Sequence, residues 1–317
     1  MREQIMSRII ESIAQLILLL VLAPLVTGVI RAMKARLQIR RGPGIFQPYR
    51  DLYKLFRKGM VIPETASWIF TATPWIVFFS TILAGLMIPM VAADAPLGLF
   101  GGVLAVIYLL GLGRFFLALS GMDSGSSFGG LGSSREMTIS AIAEPAMMVA
   151  IFTVAIAANS TNLSEIARSA LGQSWRFLAP SQILAFGALF IVLIAETGRI
   201  PVDNPATHLE LTMIHEAMIL EYSGPYLALI EWGAWLKQLV LMTLLVNTFF
   251  PFGLSPDWNV QGVAIGLGFY LVKLVIICCL IVLVETTNAK MRLFRVPELL
   301  AVAFILGALA LISTFLF

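Results

Sequence analysis

Cysteine and histidine are nearly absent from this chain, with two of each in 317 residues. Iron–sulfur clusters are held by sets of cysteine thiolates, in some centres with imidazoles. This chain can build neither such a cluster nor a nickel site from its own residues. Cys278 and Cys279 are neighbours on one apolar run, so on a helix they point in different directions and cannot grip one metal; core packing is the reading for both. His208 and His215 are seven residues apart, about 10.5 Å along a helix axis, too far to share a metal ion. Any redox chemistry served here is carried out by other subunits. Charge is scarce too: 12% of residues are charged and 59% are hydrophobic, with a mean hydropathy of +0.92. That composition excludes a soluble domain of this size.

Long apolar runs are what the chain has instead. Runs of about 20 residues match a hydrocarbon core of roughly 30 Å at 1.5 Å rise per residue. Eight are visible, at about 9–30, 68–92, 99–119, 137–158, 181–197, 226–249, 261–284 and 298–316. The expected fold class is an all-α integral membrane protein of about eight transmembrane helices, with residues 1–317 forming a single polytopic membrane domain. The first run lacks a small-residue cleavage site and is read as a span, not as a removable signal. Basic residues set the orientation. Fifteen, nine of them between runs one and two, fall on one side against four on the other, with Lys237 and Lys273 inside runs. The basic side is expected to be cytoplasmic and both termini outside. The net charge of +3 is thus a topology signal and gives no support for nucleic-acid binding.

The first basic-side segment holds a Gly42-Pro43-Gly44 turn signal. After Pro48, Tyr49, Leu52, Tyr53, Leu55 and Phe56 recur at helical spacing, predicting a short amphipathic interfacial helix. It is either a topology anchor or a docking surface. The second segment, Gly121 to Glu136, has the look of a phosphate-binding glycine loop but lacks the Lys-Ser/Thr ending and a preceding strand. Its small residues suit tight turns and close approach of a neighbouring chain, and Ser133 or Ser134 is the expected cap of a helix starting near Arg135. In the fourth run, Glu144 precedes Pro145, where a freed carbonyl favours a kink. A proton relay and a static ion pair are both open for Glu144.

Acidic residues concentrate between the fifth and sixth runs. Glu196, Asp203, Glu210, Glu216 and Glu221 fall within 26 residues, and carboxylates at a membrane boundary are costly to desolvate. Pro201 and Pro205 make a rigid turn, and a helix is expected from Ala206 to Glu221. On it, Glu210 and Glu221 share a face while Glu216 points away. This suits acids along a wet cavity with Arg199 as counter-ion; a solvated acidic loop is the alternative, weakened by the apolar residues of the segment. Lys237 and Lys273 lie mid-run, Glu231 is one to two turns from Lys237, and Glu285 closes the seventh run. Alternating acids and bases within a membrane relay protons or fix helix packing, and both readings stay open.

Three stretches carry a family resemblance: Ala35-Arg-Leu-Gln-Ile-Arg-Arg-Gly-Pro-Gly-Ile-Phe-Gln-Pro-Tyr-Arg-Asp51; Arg114 to Gly125 with Gly132-Ser-Ser-Arg-Glu136; and Glu196 to Gly224. Through them the chain resembles the membrane subunit of complex I that abuts the peripheral arm. It is more similar still to the counterpart in membrane-bound [NiFe] hydrogenases, of the formate hydrogenlyase subunit 4 or hydrogenase-4 component C type. Glu196-Thr-Gly-Arg-Ile-Pro-Val-Asp203 stands where the complex I form has Glu-Thr-Asn-Arg-Ala-Pro-Phe-Asp, and the Met-Asp-Ser-Gly loop replaces a Gly-Trp-Ser-Ser-Asn type. These departures favour the hydrogenase branch over a quinone-chamber subunit.

The resemblance implies a non-catalytic subunit in a prokaryotic inner membrane, without redox centres of its own. The [NiFe] centre and iron–sulfur clusters are expected in a cytoplasmic large subunit and small subunit, and antiporter-like subunits are expected beside it in the membrane. The expected relay comprises Glu144, Glu196, Asp203, Glu210, Glu216, Glu221, Lys237, Lys273 and Glu285. The expected docking residues are Arg36, Arg40, Arg41, Asp51, Asp123, Arg135, Glu136 and Arg199. A stand-alone ion transporter and a passive anchor are the competing readings.

Overall fold

In the computed structural model the described residues are 2–171, 179–203, 213–256 and 258–316. Among them every regular element is helical: α1 (Arg2–Leu37), α2 (Gln47–Phe56), α3 (Trp68–Leu86), α4 (Val103–Asp123), α5 (Ser127–Ala158), α6 (Leu163–Leu171), α7 (Pro180–Glu196), α8 (His215–Ile219), α9 (Gly224–Phe249), α10 (Val260–Thr287) and α11 (Val296–Leu316). Each of the eight apolar runs lies in one of these helices. Seven are long and apolar enough to cross a membrane, while α7 has 17 residues.

Packing follows from which stripes are apolar. Helix α9 is the centre: 78% of its most apolar window is buried, and α1, α2, α3, α7 and α10 pack on it. Helices α5, α7 and α11 pack on one another, and α3 on α4. One continuous apolar core runs through the bundle from Leu19 and Ile30 to Leu239, Leu244 and Leu300.

The connections gather at two ends. At one end Asp123 Oδ2 accepts from Ser67 N at 2.8 Å and Phe70 N at 3.3 Å, capping the start of α3. There too Met291 N donates to Pro201 O at 2.9 Å and Ser223 Oγ accepts from Val61 N at 2.9 Å. Gly224 has φ +56°, and a Cβ on it would lie 2.9 Å from Gly59 O, so that turn takes only glycine without strain. This is the basic end. At the far end an irregular segment between α3 and α4 is buried inside the bundle. Its carbonyls are satisfied by side-chain amides: Gln15 Nε2 donates to Gly85 O and Ile88 O, and Asn247 Nδ2 to Pro89 O and Met90 O, all at 2.8–2.9 Å. Backbone of this kind is tolerated at membrane depth only when protein buries it.

The expected interfacial helix is present as α2, with Leu52 buried and Tyr53 and Phe56 exposed. Two expectations are corrected. The glycine-rich stretch 121–136 is not a loop: α4 continues to Asp123 and α5 begins at Ser127, with Ser126 at its N-cap. Ser133 caps nothing; it is buried and donates to Ala118 O at 2.7 Å and Gly129 O at 2.8 Å. The small residues serve helix contact, since a Cβ on Gly129 would stand 2.1 Å from Gly121 O. The single helix expected over 206–221 is absent in its second half, where only His215–Ile219 is helical. Asp203 Oδ2 accepts from Ile214 N at 3.2 Å, just before α8. Glu210 lies outside the described residues.

Candidate functional site

Small residues let helices approach closely enough for a buried arginine to be surrounded by acids. Gly113 of α4 sits where a Cβ would be 2.9 Å from Ser80 Oγ of α3, and Gly111 where one would be 3.3 Å from Glu144 Oε1 of α5. Between them in space stands Arg114, whose side chain is 3% exposed. Its guanidinium reaches Glu196 Oε2 at 2.5 Å, Glu144 Oε1 at 3.1 Å and Glu136 Oε1 at 3.7 Å. Glu196 Oε2 is also 2.8 Å from Lys237 Nζ of α9.

A second set is built by the end of α7. Gly198 N donates to Ala195 O and Arg199 N to Ile194 O, both at 3.1 Å, and Gly198 has φ +58°. This is a Schellman ending, which needs a left-handed residue and hence favours glycine. It keeps Glu196 on the helix and turns Arg199 back over it. Arg199 donates to Glu285 Oε1 and to Gln238 Oε1, both at 2.7 Å. Lys34 Nζ takes the other Glu285 oxygen at 2.7 Å. Gln238 follows Lys237 on α9, so the two sets stand side by side.

Both sets line one cavity of about 310 Å³. Its walls also carry Arg31, Asp203, His215, Glu216 and Glu231. Asp203 is held by Lys290 Nζ at 2.9 Å. Burial pushes the His215 imidazole below its ordinary value, opposed by the nearby Glu216 carboxylate, so the neutral ring is favoured. Arg114 Nε, Arg199 Nε and His215 Nε2 are buried without a hydrogen-bond partner among the described residues. Polar groups so placed around a roomy cavity match water, and the volume takes on the order of ten molecules. The chamber is therefore fit to hold water among fixed charges. Beside it, Tyr222 stacks on Phe70 with ring centroids 4.0 Å apart and hydrogen-bonds Ser120 Oγ and Phe70 O. Burial pushes the Tyr222 phenol up to about 12.

Of the residues expected to form a relay, Glu196, Asp203, Glu216, Lys237 and Glu285 line this chamber, and Glu144 joins it through Arg114. Glu221 is exposed in the turn after α8 and so is not on the helix expected to carry it; Glu210, its expected companion, lies outside the described residues. Lys273 stands apart, donating to Asn247 Oδ1 at 3.2 Å. Among the residues expected at a docking surface, Arg36, Arg40 and Arg41 are exposed. Asp51 accepts from Gln47 Nε2 at 2.8 Å, Asp123 caps α3, and Arg135 donates to Met213 O at 2.9 Å. Glu136 lines the chamber instead; Arg199, expected both at the docking surface and as counter-ion along a wet cavity, lines it as the partner of Glu285.

Sequence reasoning missed Arg114, Lys34, Gln238 and Lys290 as site residues. Arg114 had a signal, because it falls inside an apolar run, where a charge is a functional hypothesis by default. Lys34, Gln238 and Lys290 had none of comparable strength; only the packing of α1, α9 and the turn after α10 brings them in.

The family model described as NADH dehydrogenase matches residues 10–316. Hydrogenase-4 component C of Escherichia coli is 37% identical over 95% of this chain and 94% of its own. Formate hydrogenlyase subunit 4 of the same organism is 33% identical over 96% and 98%. An NADH-quinone oxidoreductase subunit of Rickettsia rickettsii is 29% identical over 74% and 70%. Among solved structures, a chain of an archaeal membrane-bound sulfane sulfur reductase superposes with a TM-score of 0.85 at 22% identity, over 96% of this chain and 99% of that one; this likeness bears on fold alone. The chain belongs to the NADH dehydrogenase family and within it is a homologue of hydrogenase-4 component C and formate hydrogenlyase subunit 4.

Proposed function

We propose that this protein is the membrane-anchoring and energy-coupling subunit of a multisubunit membrane-bound hydrogenase of the formate hydrogenlyase kind. The observation that carries the coupling part is the convergence of two ion-paired sets, Arg114–Glu196–Lys237 and Lys34–Glu285–Arg199, on one chamber at the basic end. The basic end faces the cytoplasm by the positive-inside rule. There the exposed Arg36, Arg40 and Arg41 and the amphipathic α2 offer a landing surface for the large and small cytoplasmic subunits, which carry the nickel–iron centre and the iron–sulfur clusters. Antiporter-like subunits lie beside the chain in the membrane.

Two carboxylates, Glu196 and Glu285, each sit between two cations. A charge change at a docked redox subunit shifts which cation holds each carboxylate, and water in the chamber carries the compensating proton. The relay role thus falls on Glu144, Glu196, Asp203, Glu216, Lys237 and Glu285, with Arg114 and Arg199 positioning them. Relatedness to the hydrogenase subunits is nearer than to the quinone-reducing branch, at 33–37% against 29% identity.

The experiment is to purify the complex with its native partners and compare it with Glu196→Gln and Lys237→Met variants. Expected are the same subunit composition, a [NiFe] large subunit among the partners, and hydrogen turnover no longer accompanied by ion movement. Wild-type turnover and ion movement in both variants would sink the relay. Loss of assembly without a defect in assembled complexes would reduce the chain to an anchor.

A further inference from the structure

Lys273 is the fourteenth of the 28 residues of α10, so either helix end is about 20 Å away along the axis. Its ammonium has three N–H donors and one acceptor, Asn247 Oδ1 at 3.2 Å. The Asn247 amide cannot rotate to serve it better, because Nδ2 is committed to Pro89 O and Met90 O. No carboxylate of the described residues pairs with Lys273. A lipid phosphate does not substitute. The hydrocarbon boundary lies roughly 15 Å from the bilayer centre, and a lysine stem snorkels over roughly 6 Å.

The surroundings say from which direction a counter-charge must come. Helix α10 packs on α1 and α9. Tyr270, Leu274, Ile277 and Ile281 face them and are buried, whereas Phe269, Val272 and Ile276 are 51–59% exposed. At 100° per residue, Lys273 falls on the border between these two stripes. Its open side is therefore the exposed stripe, away from the chamber. A lone charge at the bilayer centre is costly unless paired, and the stripe beside it is apolar and of helical pitch.

We propose that this face of α10 is covered by a transmembrane helix of a neighbouring membrane subunit that carries an Asp or Glu at the depth of Lys273. The inference rests on the proposed membership of a multisubunit membrane complex and not on the relay in the chamber.

Two variants test it in the intact complex. Cys278 is buried but Cys279 is exposed, against the core packing expected for both, so Ile276→Cys in a Cys279→Ser background places a single exposed thiol of this chain one turn from Lys273. A short thiol-reactive photocrosslinker should join it to a helix of another membrane subunit, one with a carboxylate within about one turn of the joined residue. Lys273→Glu should lower recovery of that subunit with the complex at least tenfold, and changing the partner's carboxylate to Lys should restore it. Equal labelling of Ile276→Cys by a lipid-soluble maleimide in the complex and in the free subunit would show lipid on this face and overturn the proposal. So would a joined helix without a carboxylate. A native complex with no second polytopic subunit would overturn the proposed function as well.

Discussion

Replacing Arg114 with Met removes the one group that holds three carboxylates. Glu196, 2% exposed, keeps only Lys237, while Glu144 and Glu136 lose their ion pair altogether. Breaking a buried pair from one side leaves an uncompensated charge and costs about 3–5 kcal/mol. At 1.4 kcal/mol per factor of ten, that is roughly two to three and a half powers of ten in the folded-to-unfolded ratio. Arg114→Lys keeps the charge but loses the wide planar fork that reaches Glu196, Glu144 and Glu136 from separate nitrogens; an intermediate loss is expected. The control is Arg168→Met at the far end, where Arg168 and Asp94 are 55% and 43% exposed and a loss of about 0–1 kcal/mol follows. The assay is reversible denaturant unfolding of the detergent-solubilised subunit, with recovery of assembled complex as a second readout. Equal stability of Arg114→Met and Arg168→Met would refute the view that Arg114 offsets the burial of the three acids.

The contact between α4 and α5 is tested by Gly129→Ala, whose new methyl would stand 2.1 Å from Gly121 O. Overpacking of this kind costs about 1–3 kcal/mol, whereas Gly130→Ala, with open space around its Cβ, should be neutral or slightly stabilising by the same unfolding assay. Tyr222→Phe keeps the stack on Phe70 but deletes two hydrogen bonds; a loss of about 1–2 kcal/mol is expected, seen as a lower unfolding midpoint. His215 is held neutral by burial, with its value below the ordinary 6.5. The unfolded chain then binds more protons than the folded one below that value, so stability falls as pH drops through and below about 6.5. His215→Gln should flatten this acid limb between about pH 7.5 and 5.5.

Hydropathy makes the spans and α2 legible, because both rest on local periodicity. The chamber is legible mainly in its acids. Glu196, Asp203, Glu216 and Glu285 stand out as charges at the ends of apolar runs. Of their cations, Lys237 shows as a charge inside a run and Arg114 offers the same signal, whereas Lys34 looks like a topology marker until α1 packs against α9. On the docking reading Glu136 and Arg199 face outward, for a related reason. A charge at the edge of a run looks solvated, but the close packing of α4 on α5 and the Schellman turn at Gly198 point both inward. The glycine-rich segment shows two uses of one residue type. Gly and Ser loosen a free chain, yet in a packed bundle they are what permits Gly129 to lie on Gly121.

Depth separates a coupling chamber from a transport path. Lys237 is the fourteenth residue of α9, about 20 Å from its start, and Arg199 links Gln238 beside it to Glu285 near the end of α10. The ion pairs thus descend from the basic end to mid-membrane. Below them α9 is closely packed: Leu239, Val240, Leu241, Met242, Leu244 and Leu245 are all 0–2% exposed, and the Thr243 hydroxyl among them meets the Tyr270 hydroxyl at 2.6 Å. That stretch is about 9 Å long, and the segment tied by Gln15 and Asn247 lies beyond it. The chamber thus ends against tightly packed side chains, and Asn247 with Lys273 lies beyond them, at the flank of α10. A stand-alone transporter needs continuous or alternating access to both faces. Here the ion pairs stop halfway, and the next charged group, Lys273, lies beside an outward-facing stripe. This distribution supports the proposed passing of charge effects sideways to a neighbour over transport straight through the chain.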